Sequence, residues 1–239
     1  MFIMKIHRFI GEYDISKEEV AITDPKTIKQ IRSVLRLEKG DQITLSDGKG
    51  KEAQITLEFL SNDTIIGKAS RTNGPASTEG FSEARKVNLY LAILKKENFE
   101  LAVQKAVECG VSTITPIITE RTIKTGLNIP RLEKIILEAS EQCGRATLPE
   151  LFEIFDFSEA INGEAEEKII FHTDKNTKDY APGLEASSVN IFIGPEGGFT
   201  EKEITLAKEH GYTPASLGNL TLRGETAAII ATYRAVYKI

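Results

Sequence analysis

After residue 85 the chain sets short apolar runs against longer amphipathic ones, and few folds accept that pattern. KVNLYLAIL, STITPII, KIIFHT, SVNIFIG and ASLG read as strands. NFELAVQKAVECG, PRLEKIILEASEQCG, TEKEITLAKEHG and GETAAIIATYRAVYKI carry apolar residues at helical spacing, and Gly110 and Gly144 stop the first two. Strands alternating with helices predict a mostly parallel sheet covered on both faces. The fold class expected for this half is α/β.

The first 70 or so residues differ. EKGDQITLSDGKGKEAQITLEF alternates apolar positions at Ile43 and Leu45, then Ile55, Leu57 and Phe59, around the turn formers Asp47, Gly48 and Gly50. That spacing predicts a hairpin in a small β-rich module. One helix interrupts it, DPKTIKQIRSVLRLEKG, with Asp24 as cap, Pro25 in the first turn and Gly40 past the end. RTNGPASTEGFSEAR lacks apolar periodicity and is rich in Gly, Ser, Thr and Pro, so a linker is expected at 73–85. The expected division is 1–72, linker 73–85, and 86–239.

Charge is uneven. The net charge is −5, which argues against a surface coated in basic patches. Yet Lys26 to Lys39 holds five basic residues and one acid, and Lys29, Arg32 and Arg36 share one face beside the apolar stripe Ile28, Ile31, Leu35. Such a ridge is either a solvated outer face or a contact for nucleic-acid phosphates. No apolar run approaches the ~20 residues that span a bilayer, and the start has no cleavage signal, so a cytoplasmic location is expected. Cys109 and Cys143, without CxxC spacing, read as buried reduced thiols rather than a redox or catalytic pair. His7, His172 and His210 are too scattered to suggest a metal site.

Ligands of parallel sheets bind outside the carboxyl ends of strands, which points to the loops after Thr173, Ile193 and Leu217. In IFIGPEGGFTEKEI, Gly194, Pro195, Gly197 and Gly198 interrupt regular structure. The stretch lacks the G-x-G-x-x-G spacing of a dinucleotide loop and the GK[ST] of a Walker loop, and Glu196 would repel a pyrophosphate. A phosphate-free, cationic ligand fits better. Thr200 and Glu203 stand at the spacing of a capping box, so an ordinary strand-to-helix turn is the plainer alternative. In SLGNLTLRGETAA, Gly218 and Gly224 bracket a short loop, with Arg223 and Glu225 at the start of an Ala-rich helix.

These two stretches, in this order and separation, resemble the paired C-terminal signatures of the small-subunit ribosomal RNA (uracil-N3)-methyltransferase family, a branch of the SPOUT superfamily. LKKENFELAVQKAVECGVSTITPIITERT resembles that family's first helical segment and second strand, and EASEQCGR its Glu-Gln-x-Gly-Arg segment. HRFI and IRSVLRLEKGDQITLSDGKG resemble its PUA-like RNA-binding domain. The sequence departs from the family at DPKTIKQI, where members often carry a His ahead of the VLR segment.

The resemblance implies a trefoil-knotted SPOUT methyltransferase domain with a parallel sheet, preceded by a small β-rich PUA-like domain. It implies a homodimer acting on 16S ribosomal RNA or the small ribosomal subunit, with no membrane and no metal. S-adenosyl-L-methionine would be the methyl donor, held by Phe171, His172, Thr173, Ile193, Gly194, Pro195, Glu196, Gly197, Gly198, Leu217, Gly218, Asn219 and Leu222. Arg223, Arg145 and Arg121 would meet phosphate or uracil oxygens. Glu225 or Glu141 would assist deprotonation, or else pair an Arg or cap a helix. Arg8, Lys29, Arg32, Arg36 and Arg121 would contact flanking RNA. Transfer to another RNA, or a non-catalytic role in ribosome assembly, are the alternatives.

Overall fold

Alternating apolar residues on β-prone runs build two separate sheets. The computed structural model describes residues 7–73, 85–95, 97–174 and 177–239. The described residues through Asn73, together with Ser140–Leu148, form one compact unit; those from Arg85 to Ala139 and from Pro149 onward form the other. The linker expected at 73–85 lies outside the described residues except for its two ends, Asn73 and Arg85.

In the first unit, β1 (His7–Ile10), β2 (Glu19–Ile22), β3 (Gln42–Ser46), β4 (Glu52–Leu60) and β5 (Ile65–Asn73) form one sheet in the order β1-β3-β4-β5-β2. β3 and β4 make the expected hairpin. Its turn is tied by Asp47, whose carboxylate accepts from the Lys49 and Lys51 backbone N–H groups at 2.7 and 3.0 Å. Ile43, Leu45, Ile55, Leu57 and Ile65 are fully buried on the inner face. The 140–148 segment adds to this unit through hydrogen bonds from Ser46 Oγ and Gly50 N to the Ala146 carbonyl.

The helix expected from Asp24 to Gly40 begins as predicted and ends early. Asp24 caps α1 (Pro25–Lys29) by accepting from Thr27 N at 2.8 Å. Gln30–Val34 then widens into a π turn, with Leu35 N donating to Gln30 O at 2.9 Å, and Arg36 takes a left-handed conformation at φ 55°. The reason is burial. An unbroken α-helix would carry Leu37 off the Ile28–Ile31–Leu35 stripe, whereas the wide turn brings both Leu35 and Leu37 against the core.

The second unit is a seven-stranded, all-parallel sheet. Its strands are β6 (Lys86–Ala92), β7 (Thr113–Ile118), β8 (Glu150–Leu151), β9 (Phe155–Asp156), β10 (Glu167–Phe171), β11 (Ser188–Ile193) and β12 (Thr213–Ala215). The order is β12-β10-β11-β6-β7-β8, with β9 also on β7. The helices are α2 (Asn98–Cys109), α3 (Ile129–Cys143), whose last turn from Ser140 belongs to the first unit, α4 (Phe157–Ala160), α5 (Glu201–Glu209) and α6 (Gly224–Tyr237).

Both faces of the sheet are buried, as parallel strands require. Leu89, Leu91, Val189, Ile191 and Ile193 pack with residues of α2, α3 and α6, while Ala92, Ile170 and Phe192 pack with those of α4 and α5. Phe192 stacks on Tyr90 with centroids 4.3 Å apart, a burial worth about 3 kcal/mol. A polar ladder crosses the middle of this sheet. Thr113 Oγ1 donates to Asn88 Oδ1 at 3.0 Å, Asn88 Nδ2 to Asn190 Oδ1 at 2.8 Å, and Asn190 Nδ2 to the Tyr212 hydroxyl at 3.2 Å. A slip of one residue would strand these groups in the core, so the ladder fixes register. Burial pushes the Tyr212 phenol up from its ordinary value.

The thiols depart from expectation. Neither Cys109 nor Cys143 forms a disulfide, but Cys109 is half-buried and Cys143 exposed, because each stands at the C-terminal end of its helix.

Candidate active site

Three strands of the second unit end side by side, and their exits enclose a cavity of about 830 Å³. β10 supplies residues 171–173, β11 supplies 193–199, and the stretch after β12 supplies 215–217 and 220–225. Every predicted cofactor contact lies in the wall except Gly218 and Asn219, which sit in the same loop outside the lining. Sequence reasoning missed Lys95, Glu97 and Asn98, which also line the cavity from the exit of β6. The signal was available, since β6 ends in the same direction as its parallel neighbours.

The loop after β11 is built from contacts that its residue types allow. Gly198 N donates to the Pro195 carbonyl at 2.8 Å, closing a turn, and Gly198 takes φ 67°, where a side chain is strained. Glu196, expected to face the ligand by its charge, lines the cavity but commits Oε1 to the Lys95 backbone N–H at 2.9 Å. It therefore fastens the loop to the exit of β6. Thr200 and Glu203 form the capping box of α5: Thr200 Oγ1 accepts from Glu203 N, and Glu203 Oε2 accepts from Thr200 N at 2.7 Å. Glu203 Oε1 also takes the Glu120 N–H at 2.9 Å.

Of the four residues expected to be catalytic, the structure places two in the cavity. Arg223 is the N-cap residue of α6; its guanidinium is exposed and unpaired among the described residues. Glu225, in the first turn of α6, is 7% exposed and has neither hydrogen bond nor ion pair to any described residue. Glu141 and Arg145 do not line this cavity. They belong to the 140–148 segment that packs in the first unit, where Glu141 Oε1 accepts from Ile10 N at 2.9 Å and Arg145 Nε donates to Thr147 O at 3.1 Å. Their side chains are engaged in holding that unit.

The RNA-contact residues also divide. Lys29, Arg32 and Arg36 are exposed, and a shallow depression between Arg32, Arg36, Lys39 and Leu60 lies beside the π turn. Arg8 does not belong to that surface. It is paired with Glu52, donates to the Arg145 carbonyl at 3.4 Å, and its pKa is lowered chiefly by burial. Arg121 lies in the cavity wall.

The residues fit a cationic, partly apolar ligand. Glu225 lines the cavity in the first turn of α6 without an ion pair to any described residue, where the helix macrodipole favours an anion. A positive charge entering the cavity would meet an unpaired acid. Phe171, Ile193, Leu217 and Leu222 give apolar walls for a flat ring. Among the described residues no three His, Cys, Asp or Glu side chains gather as a metal-binding group, and no helix is long and apolar enough to cross a membrane.

Comparison with known proteins agrees with this geometry. A family model for an RNA methyltransferase domain matches residues 82–235, and one for an RNA methyltransferase PUA domain matches residues 22–70. A ribosomal RNA small subunit methyltransferase E of Synechocystis is 30% identical, over 96% of this chain and 77% of its own. The chain belongs to this RNA methyltransferase family.

Further relatives are similar over nearly its whole length. The methyltransferase E of Rickettsia conorii is 28% identical over 95% of this chain and 94% of its own. Among solved structures, the methyltransferase E of Neisseria gonorrhoeae, bound to S-adenosyl methionine, superposes with a TM-score of 0.84 at 29% identity, covering 95% of each chain. A Legionella pneumophila methyltransferase in complex with SAM gives 0.81 at 31% identity, covering 95% of this chain and 96% of the other. Both layers of the family, the PUA domain and the parallel α/β domain, are therefore present here.

Proposed function

We propose that this chain transfers the methyl group of S-adenosylmethionine to N3 of a uridine in 16S ribosomal RNA of the small subunit. The observation that carries the reading is the cavity at the strand exits, lined by Glu225, an acid with no ion pair to any described residue. The small-subunit RNA of the relatives' names, and the resemblance of the two C-terminal stretches to uracil-N3 enzymes, support the substrate.

Bound S-adenosylmethionine supplies an activated methyl group on a cationic sulfur. Residues 171–173 and 193–198, which line the cavity, and the loop 217–222 would hold it. In-line attack by N3 forms the N–C bond as the C–S bond breaks, and the N3 proton must leave. In this reading Glu225 takes that proton and Arg223 stabilises charge developing on the uracil oxygens. N3 lies on the Watson–Crick edge, so the uridine must be unpaired or flipped out. Lys29, Arg32 and Arg36 hold flanking RNA by its backbone.

A trefoil knot in the second unit, a homodimer and a cytoplasmic location belong to the same reading. The exposed apolar side chains Leu101 on α2 and Tyr233 and Tyr237 on α6 support the dimer.

The test is methyl incorporation from labelled S-adenosylmethionine into small ribosomal subunits lacking the modification, with transfer RNA and large-subunit RNA as parallel acceptors. Label in small-subunit RNA alone is expected. Label elsewhere would move the substrate, and calorimetric binding of the donor without transfer to any RNA would leave a non-catalytic factor.

A further inference from the structure

Arg121 is a charged group in the cavity wall that the reaction above leaves without a task. It stands in the turn after β7, and its side chain is turned back onto the protein. Nη1 donates to the Gly197 carbonyl at 2.7 Å and to the Phe199 carbonyl at 3.4 Å. Its aliphatic stem lies on Gly197: a Cβ added there would stand 3.3 Å from both Cβ and Cδ of Arg121. A side chain at position 197 would press on this stem, and no left-handed backbone conformation calls for glycine there.

Topology shows what the contact accomplishes. β7 is separated from β11 by β6, so the loop leaving β11 must cross the end of β6 to reach Arg121. On the way Glu196 takes the Lys95 N–H at the exit of β6. The turn that bears Arg121 is itself anchored. Thr119 N donates to Thr122 Oγ1 at 2.9 Å, and Glu120 N to Glu203 Oε1 at 2.9 Å. Two side chains from two strand exits therefore hold one loop, a carboxylate on one backbone N–H and a guanidinium on two backbone carbonyls.

We propose that Arg121 is a positioning residue for the methyl-donor loop, holding residues 194–199 in their binding-ready shape before the donor arrives. The inference rests on reading the cavity as the donor site. It assigns the Arg121 charge to the loop's own carbonyls instead of to RNA phosphate or uracil. Preorganisation lowers the ordering cost of binding, so loss of the residue should appear in donor affinity more than in the chemical step.

The experiment measures S-adenosylmethionine affinity by calorimetry, steady-state kinetics, and amide hydrogen exchange of the ligand-free protein, for the unsubstituted chain, Arg121→Ala, Arg121→Lys and Gly197→Ala. Arg121→Ala should weaken donor binding and raise the donor KM by about tenfold, the scale of a lost charge-assisted hydrogen bond. Its kcat at saturating donor should stay within about threefold, and its RNA affinity should keep the same salt slope. Arg121→Lys should recover part of the affinity. Gly197→Ala should weaken binding in the native background and cost less beside Arg121→Ala, where the stem is gone. Exchange at residues 197–200 should speed up in Arg121→Ala without any ligand.

Unchanged exchange and unchanged donor affinity in Arg121→Ala would overturn the positioning role alone. A salt slope reduced by about one, with donor affinity intact, would return Arg121 to the RNA contacts and overturn it as well. Faster loop exchange in Arg121→Ala, with no donor binding by the unsubstituted protein, would overturn the reading of the cavity and leave the loop-holding role standing.

Discussion

Glu225 and Arg223 stand two positions apart at the start of α6, one nearly enclosed and the other exposed, and neither is spent on the fold. That separates them from several other charged residues singled out in the sequence. Glu196 is spent on the Lys95 backbone, Glu141 on Ile10, and Arg8 on Glu52. A free charge in a cavity is available to a substrate; a paired one is not. Arg223→Ala should therefore lower kcat for methyl transfer by about 100-fold or more while donor affinity changes by only a few-fold. Unchanged turnover would remove Arg223 from the chemistry. The residue types were legible in the sequence. Their partners were not: Glu196 reaches a backbone group 101 positions away, and Glu141 one 131 positions away. Local pattern contains no information about such pairs.

The elements were legible where one local rule decided them. Asp24, the Asp47 turn, Gly110 and the Thr200–Glu203 box each act within a few residues, and each does what its sequence indicates. The helix after Pro25 shows the limit. Its apolar stripe predicts one continuous helix, but the need to bury Leu37 as well as Leu35 imposes the π turn and the left-handed Arg36. That wide turn sets the exposure of Lys29, Arg32 and Arg36, and Arg32 is hydrogen-bonded to Asn62 across the surface. If these residues contact RNA phosphates, replacing Lys29, Arg32 and Arg36 by Glu should weaken RNA binding and flatten its salt dependence, since each lost phosphate contact removes about 0.7–0.9 from the slope. Filter binding at several salt concentrations measures this. A slope equal to that of the unsubstituted protein would make the ridge a solvated face.

At the scale of the molecule, alternation of strand and helix was enough to indicate a parallel α/β unit after a β-rich one, because both faces of a parallel sheet must be covered. Strand order was beyond it. The sequence-distant β6 and β11 are neighbours, and the Thr113–Asn88–Asn190–Tyr212 ladder that fixes their register joins side chains from four separate stretches. The division of the chain was also only partly legible, since residues 140–148 read as the end of a helix in the second unit yet pack in the first. What the whole fold brings together is a family-wide arrangement, a PUA domain and a methyltransferase domain on one chain. The central claim is the atom and the RNA that receive the methyl group, and it is tested most directly by mapping modified nucleosides. Small-subunit RNA from cells with and without the gene is digested and its methyluridines are identified by mass spectrometry against N3- and C5-methyl standards. The account predicts one uridine carrying an N3 methyl that disappears with the gene and returns with the unsubstituted protein but not with Arg223→Ala. An N3-methyluridine that persists without the gene, or a lost methyl mapping to another atom or another RNA, would contradict it.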